Sequence, residues 1–276
     1  MKRGASVLVA CYEQAEVLEL ALAGFARQSW SELELVIADD GSNQDLAPQL
    51  ARWAPRFAHG IRWVRHAKQG FRKTRILNRA ASVARFGALI FSDADCVPHR
   101  HFVRDHVLRL APGVCVSGRR VHVERDGFGS AAEILAGGVG LPPWRLLWLR
   151  WRRRASRIEH GLALPWGADA GALGILGSNF SLQRGDLDRV NGFDEGYQAW
   201  GIGEDTDLDL RLRFAGVRVR VFRHGLVQYH VAHAGARVDD PANRQRLEQA
   251  RAQRRVRAQP GLAEIRDGDF ESRAFA

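Results

Sequence analysis

Cysteine, acidic residues and long apolar runs are all scarce in this sequence, and each shortage narrows what the chain can be. Only three cysteines, Cys11, Cys96 and Cys115, stand in 276 residues, scattered and without C-x-x-C spacing. That pattern argues against a disulfide framework and a structural zinc site, and for a reducing compartment. Acidic residues number 31 against 41 lysines and arginines, mostly arginine, so the formal net charge is +10. The surplus favours an anionic partner such as a nucleotide, a phosphorylated lipid or an acidic membrane surface, and arginine suits bidentate phosphate contacts. No window approaches the length of a transmembrane helix. The apolar segment Val7 to Ala10 is too short for a signal-peptide core. A cytoplasmic protein is expected, open to peripheral contact with the inner face of the membrane. No internal repeat is evident. No nucleic-acid-binding module is recognisable either, so nucleic acid is not the expected partner.

What is present is enough for a packed α/β core: 46% of residues are hydrophobic and 26% charged. The continuous apolar run Ser6 to Ala10 reads as a buried parallel strand. A helix is expected from about Ala15 to Gln28. Strands at Leu33 to Ala38 and Ile61 to Val64 bracket a second helix from about Leu46 to Trp53. This alternation predicts a mostly parallel central sheet with right-handed crossovers in one large domain. Ligands in such sheets sit outside the carboxyl ends of the strands.

Polar clusters fall at those ends. Tyr12 follows the first strand and Asp39-Asp40-Gly41-Ser42 follows the second. The apolar run Ala88 to Phe91 ends in Ser92-Asp93-Ala94-Asp95. Two carboxylates at a strand end repel unless each is solvated or paired. A divalent cation, Mg²⁺ or Mn²⁺, would relieve the repulsion while binding a diphosphate. A solvated turn is the plainer alternative for this stretch taken alone. Gln69-Gly70-Phe71-Arg72-Lys73-Thr74-Arg75 opens a helix, and its glycine and cations suit a phosphate at a helix N-terminus.

Downstream, Val114 to Gly118 and Arg119 to Val123 read as a strand or hairpin, and Ile175 to Leu182 as another strand. Pro142 to Arg154 interleaves tryptophan and leucine with arginine. Such a helix fits an anionic membrane interface, a cover over the site mouth, or a basic helix packed on the sheet. Trp200-Gly201-Ile202-Gly203 enters a helix bearing Glu204, Asp205, Asp207 and Asp209. Four carboxylates in six positions exceed what capping needs, and one of them could act as a general base towards a hydroxyl. His230 and His233, three apart, would share a side in a helix or turn, as metal ligands do. From Asp239 the chain is polar and arginine/glutamine-rich, which predicts a solvated helix and a loose tail.

Taken in order, Ser6 to Tyr12, Asp39 to Ser42, Asp93-Ala94-Asp95 and Trp200 to Asp205 resemble the family 2 glycosyltransferases with a GT-A fold. The Gly192-Phe193-Asp194-Glu195 to Leu208 portion is similar to the carboxyl-terminal segment of galactosyltransferase-type and polypeptide N-acetylgalactosaminyltransferase-type enzymes. The resemblance covers roughly Ser6 to His233. It implies a GT-A domain over 1–238, with a nucleotide-sugar half to about 125, an acceptor half from about 126, and an amphipathic insertion at 141–166. Residues 239–276 would be a polar helical tail.

The resemblance also implies roles. Ala10, Tyr12 and Asp40 would hold the nucleotide, with Arg72, Lys73 and Arg75 near its phosphates and Asp93 facing the ribose or the metal. Asp95, with His233 or His230, would bind Mn²⁺ or Mg²⁺. Asp205 would be the general base, beside Glu204, with Asn179, Trp200 and Gly201 positioning sugar or acceptor. Ala10 and Cys11 depart from the small polar or proline residues frequent after the first strand. The expected activity is metal-dependent, inverting transfer from a nucleotide-sugar, UDP-linked by expectation, to a glycan or lipid-linked acceptor. A nucleotidyltransferase and a non-catalytic nucleotide-sugar-binding subunit are the alternatives.

Overall fold

The computed structural model describes residues 4–138, 141–163, 173–199, 201, 203–233 and 239–276. The first half alternates strictly: β1 (Ala5–Cys11), α1 (Ala15–Ala26), β2 (Leu33–Asp39), α2 (Ala47–Trp53), β3 (Ile61–Arg65), α3 (Lys73–Val83) and β4 (Ala88–Asp93). It continues through β5 (Cys96–Pro98), α4 (Phe102–Arg109), β6 (Val114–Ser117) and β7 (Arg120–Glu124). A short turn α5 (Ala131–Glu133), α6 (Pro143–Trp151), β8 (Ala155–Ser156), β9 (Asn179–Gln183) and α7 (Arg184–Arg189) follow. The chain closes with α8 (Glu204–Phe214), β10 (Arg218–Val221), β11 (Gln228–Ala232), α9 (Pro241–Ala252) and β12 (Glu271–Phe275).

Eight strands form the main sheet in the order β10-β6-β9-β4-β1-β2-β3-β12. β1 pairs parallel with β2 and β4, and β2 with β3, while β9 and β12 run antiparallel to their neighbours. The sheet is thus mixed but mainly parallel, as the alternation predicts. Successive side chains of a strand point to opposite faces, and the buried strands divide accordingly. Val7, Val9, Leu35 and Ile37 join one core with α1, α2 and α4. Leu8, Ala10, Val36 and Ala38 join another with α3 and α8. A second sheet, β5-β11-β7-β8, shares the first of these cores through Val121, Val123 and Tyr229. The three cysteines are free and buried.

Three expectations change. The run 114–123 is neither one strand nor a hairpin. β6 pairs parallel with β10 in the main sheet and β7 pairs parallel with β11 in the second, so the chain crosses between sheets at Gly118. The strand expected from Ile175 begins only at Asn179, because Leu176 N donates to Ser117 Oγ, Gly177 N to Asp205 Oδ2, and the Ser178 carbonyl accepts from Gln228 Nε2. The tail is not loose: β12 pairs with β3 and finishes the sheet edge, while Arg246 and Arg255 of the C-terminal segment grip the fully buried Asp194 carboxylate. Both are long-range pairings that local polarity does not reveal.

α8, which carries Glu204 and Asp205, is anchored from within. Arg211 is fully buried; its Nε donates to Asp207 Oδ2 at 2.6 Å and its Nη1 to the carbonyls of Val190 and Gly192 at 2.8 Å each. Removing one member of a buried pair leaves the other charge uncompensated. Arg211→Ala should therefore cost about 3–5 kcal/mol in urea unfolding. A cost below about 1 kcal/mol, that of an ordinary hydrogen bond, would show the anchor to be unimportant.

Candidate active site

The carboxyl ends of β1, β2 and β4 open into a cavity of about 630 Å³, within the usual range for small-molecule sites. Ala10, Tyr12, Asp40, Lys73, Asp93, Asp95, Gly201, Glu204, Asp205, His230 and His233 all line it. Eleven of the fifteen residues expected at the site therefore meet in one place. Trp200 lies outside the described residues.

The strand-end acids diverge. β4 ends at Asp93 and β5 begins at Cys96. Between them Ala94 is fully buried, and its N–H donates to the Ala10 carbonyl at 2.8 Å. Asp93 pairs with Lys73 of α3 at 2.6 Å. Burial pulls the Lys73 ammonium towards neutrality, but Asp93, Asp205 and Glu204 outweigh it and hold its pKa above the ordinary lysine value. Asp95 turns the other way. Its backbone carbonyl accepts from Val231 N, and its Oδ2 lies 3.2 Å from His230 Nε2 and 3.0 Å from His233 Nε2. Burial opposes ionisation of Asp95, yet the hydrogen bonds from the two imidazoles outweigh it and hold the carboxyl far below the usual range. The histidines are not on a helix. His230 is in β11, where residues three apart would face opposite ways, but the strand ends at Ala232 and His233 escapes that alternation.

Donor atoms of Asp95, His230 and His233 lie within 4.8 Å of one another, close enough to share one ion. One carboxylate and two imidazoles fit a divalent transition metal, and suit Mn²⁺ better than the oxygen-preferring Mg²⁺.

At the facing wall Gly203, at φ 123°, starts α8, a conformation that glycine alone adopts freely. Asp205 Oδ2 accepts from Gly177 N at 2.8 Å. Burial raises the pKa of both Asp205 and Glu204, with Asp205 adding its charge to lift Glu204 to about 7. At the opposite end Tyr12 is partly exposed, with Lys68 Nζ 4.4 Å from its ring centroid. Asp40 is buried, accepting from Arg72 N at 2.8 Å and lying 2.7 Å from His66 Nε2. Asp39, its neighbour, bonds Ser42 N and Trp63 Nε1 and serves the turn.

Three expected side chains do not reach the cavity. Arg75 is two positions from Lys73 on α3 and so points away from it, pairing with Glu195 and Asp269. Arg72 offers Asp40 its backbone, while its guanidinium folds back on Gln69 and the Ala67 carbonyl. Asn179 is fully buried: its Nδ2 donates to the Arg119 and Leu226 carbonyls, and its Oδ1 lies 3.0 Å from His106 Nε2. It ties β9 to its surroundings and is not aimed at a sugar.

Phe71, Arg120, His122, Leu176, Gly177 and Ser178 also line the cavity and were not foreseen. The alternation Arg120-Val121-His122-Val123, apolar on one face and polar on the other, carried a signal for two of them.

A mainly parallel sheet with acidic strand ends facing a carboxylate-bearing helix across one cavity is a GT-A glycosyltransferase fold, as the similar solved structures show. The family model "Glycosyl transferase family 2" matches residues 6–163, and "N-terminal domain of galactosyltransferase" matches residues 162–234. The chain belongs to glycosyltransferase family 2. It is 24% identical over 243 residues to a hyaluronan synthase of Pasteurella multocida, spanning 82% of this chain and 24% of that protein. It is 28% identical over 239 residues to a validoxylamine A glucosyltransferase of Streptomyces hygroscopicus subsp. jinggangensis, spanning 79% and 53%. The chain thus covers about a quarter to a half of these relatives. Among solved structures, S. aureus TarS 1-349 in complex with UDP-GlcNAc aligns with TM-score 0.62 and 15% identity, over 94% of this chain and 68% of that one. Mannosyltransferase PcManGT from Pyrobaculum calidifontis, in complex with GDP-Man and Mn²⁺, aligns with TM-score 0.54 and 20% identity, over 93% and 63%.

A Cβ on Gly177 would lie 2.1 Å from Asp205 Oδ1. Gly177→Ala should therefore displace the Asp205 carboxylate and lower glycosyl transfer by about a hundredfold. The melting temperature should stay near that of the parent. Unchanged turnover would mean that the position of Asp205 does not matter.

Proposed function

We propose that this chain is an inverting, metal-dependent glycosyltransferase that moves a sugar from a nucleotide-sugar, UDP-linked, to a hydroxyl of a glycan or lipid-linked acceptor in surface polysaccharide assembly. The carrying observation is the juxtaposition, in one cavity, of the Asp95–His230–His233 donor set with the desolvated carboxylates Glu204 and Asp205. The donor class is supported by the nucleotide-sugar complexes of the similar TarS and PcManGT structures. The polymer-building role is supported by the names of the hyaluronan and chondroitin synthases among the relatives.

Asp95, His230 and His233 would hold Mn²⁺. The bound ion would supply Lewis-acid neutralisation of the charge gathering on the departing diphosphate. Lys73 brings a fixed positive charge to the cavity and pairs with Asp93. Tyr12 and Asp40, which line the same cavity, would hold the nucleoside. Asp205, held by Gly177 N–H, would take the proton of the acceptor hydroxyl; burial and the like charge of Asp93 raise its pKa. A single base acting on an acceptor for direct displacement inverts the anomeric carbon. A retaining hydrolase would instead need two carboxyls flanking the bond.

Two measurements test the reading. By calorimetry with UDP, Asp95→Asn should lose Mn²⁺-dependent binding, whereas Asp205→Asn should bind UDP and Mn²⁺ like the parent while its turnover falls by about 10²–10⁴-fold. A folded Asp95→Asn protein with full Mn²⁺-dependent affinity would refute the metal assignment.

The second is the pH profile. Burial holds the Asp205 carboxyl above its ordinary pKa, so it keeps its proton to higher pH and the base becomes available only as pH climbs beyond the usual aspartate range. Turnover should fall on the acid side, with the limb belonging to the pair as a whole. Glu204→Gln removes one of two like charges and should shift that limb to lower pH. A limb that stays in place would assign it to groups other than this pair.

A further inference from the structure

α6 presents a face that the cavity chemistry does not use. Leu146 and Leu149 are 2% exposed and sit in the core with Val121, Val123 and Phe128. They hold the helix in one rotational setting. Trp144, Leu147, Trp148 and Trp151 are 70%, 60%, 52% and 75% exposed. Steps of three, one and three residues align them in a single stripe along the helix. Four of the eight large apolar side chains exposed among the described residues thus lie on this one short element.

The flanks of the stripe carry one sign of charge. Arg150, Arg152, Arg153, Arg154 and Arg157 are all exposed, and no acidic residue occurs between Leu141 and Ile158. Arg152 lies 5.7 Å from the Trp148 ring centroid, and Arg154 pairs with Asp126 at 2.9 Å. A contiguous exposed apolar patch on a protein of this size marks an interaction surface. The occupants differ in how they answer the arginines. A second copy meeting the face across a two-fold axis would set like charges against each other. A neutral glycan would stack on indole but leave the guanidinium groups without partners. An anionic bilayer satisfies both halves: indole rings settle at headgroup depth, aliphatic arginine stems follow them, and guanidinium groups meet phosphate.

We infer that α6 docks the protein on the surface of an anionic phospholipid bilayer, lying in the interface with its tryptophan stripe inward. No helix among the described residues is long and apolar enough to cross a membrane, so the contact is peripheral. Docking here also has a direction. α6 leads into β8, and β8 pairs with β7, whose Arg120 and His122 line the cavity. The lipid surface therefore lies on the β7 side of the cavity, where a lipid-linked acceptor would be met. That last step rests on the proposed transfer reaction; the docking does not.

The test is co-sedimentation of the full chain with vesicles of phosphatidylcholine plus phosphatidylglycerol, against vesicles of phosphatidylcholine alone. Binding to the mixed vesicles is expected to exceed binding to the neutral ones by about tenfold and to weaken with added salt. Trp148→Ser/Trp151→Ser should lower partitioning onto mixed vesicles at least about tenfold, and Arg152→Glu/Arg153→Glu should do the same. Melting temperature and lipid-free release of UDP from UDP-sugars should not change in either variant. Undiminished binding by both variants, or no binding by the parent, would overturn the inference. So would concentration-dependent dimerisation that Trp148→Ser/Trp151→Ser abolishes, since it assigns the face to a second copy. If vesicles are bound but no nucleotide-sugar is turned over, the transfer reading fails and the docking stands.

Discussion

Everything in this fold answers to one electrostatic constraint: Asp93, Asp95, Glu204 and Asp205 share a cavity, and four carboxylates do so only if each is given a separate answer. Asp93 has the Lys73 ammonium, Asp95 has two imidazoles and Asp205 has the Gly177 N–H. Glu204 has the least, and its pKa rises accordingly. The answers come from α3, from β11 and its exit, and from the loop before β9. Only α3 is adjacent to β4 in sequence. The mixed sheet, the crossing at Gly118 and the second sheet are what bring them to one edge.

The same economy of charge recurs beneath the cavity. Arg211 binds Asp207 inside α8, and Arg246 and Arg255 bind Asp194. Arg79 is buried between Glu195 and Asp269. These ionic knots join α3, α8 and the C-terminal segment behind the carboxylate wall. They explain why so arginine-rich a chain tolerates buried cations: each faces an acid. The cations around α6 are arranged differently. Arg154 pairs with Asp126, but Arg150, Arg152, Arg153 and Arg157 stand exposed in a stretch without acids, so much of the chain's charge surplus is displayed there.

Much of this was legible in the sequence, for a definite reason. A buried strand that stops at a polar residue announces both its own end and the sheet edge. Tyr12, Asp40, Asp93 and Asp95 were therefore found by counting along apolar runs, and Glu204 and Asp205 by excess over what a helix start needs. What failed was direction and partnership. Asn179 sits beside Ser178, which does line the cavity, but one step along the chain reverses the face, and its amide is taken up by the Arg119 and Leu226 carbonyls. Arg75 was grouped with Lys73 by proximity in sequence, whereas two residues around a helix is the far side. β12 was hidden because its partner, β3, lies some two hundred residues earlier, and the polar composition of 239–276 says nothing about that pairing.

Asp93-Ala94-Asp95 looks, as a sequence, like one acidic clamp. In a continued strand its two carboxylates would share a face. They do not, because the strand stops between them. Ala94 is pinned to the Ala10 carbonyl, Asp93 is the last residue of β4 in the main sheet, and Asp95 directly precedes β5 of the second sheet. The motif is the junction of the two sheets, and each aspartate takes its partner from its own side: Lys73 from α3, which packs on the main sheet, and the histidines from β11 and the residue after it. The buried methyl of Ala94 is thus as much a part of the device as the acids. A larger side chain there would have no space between the sheets, and it would separate the lysine-bound carboxylate from the histidine-bound one that shares its cavity.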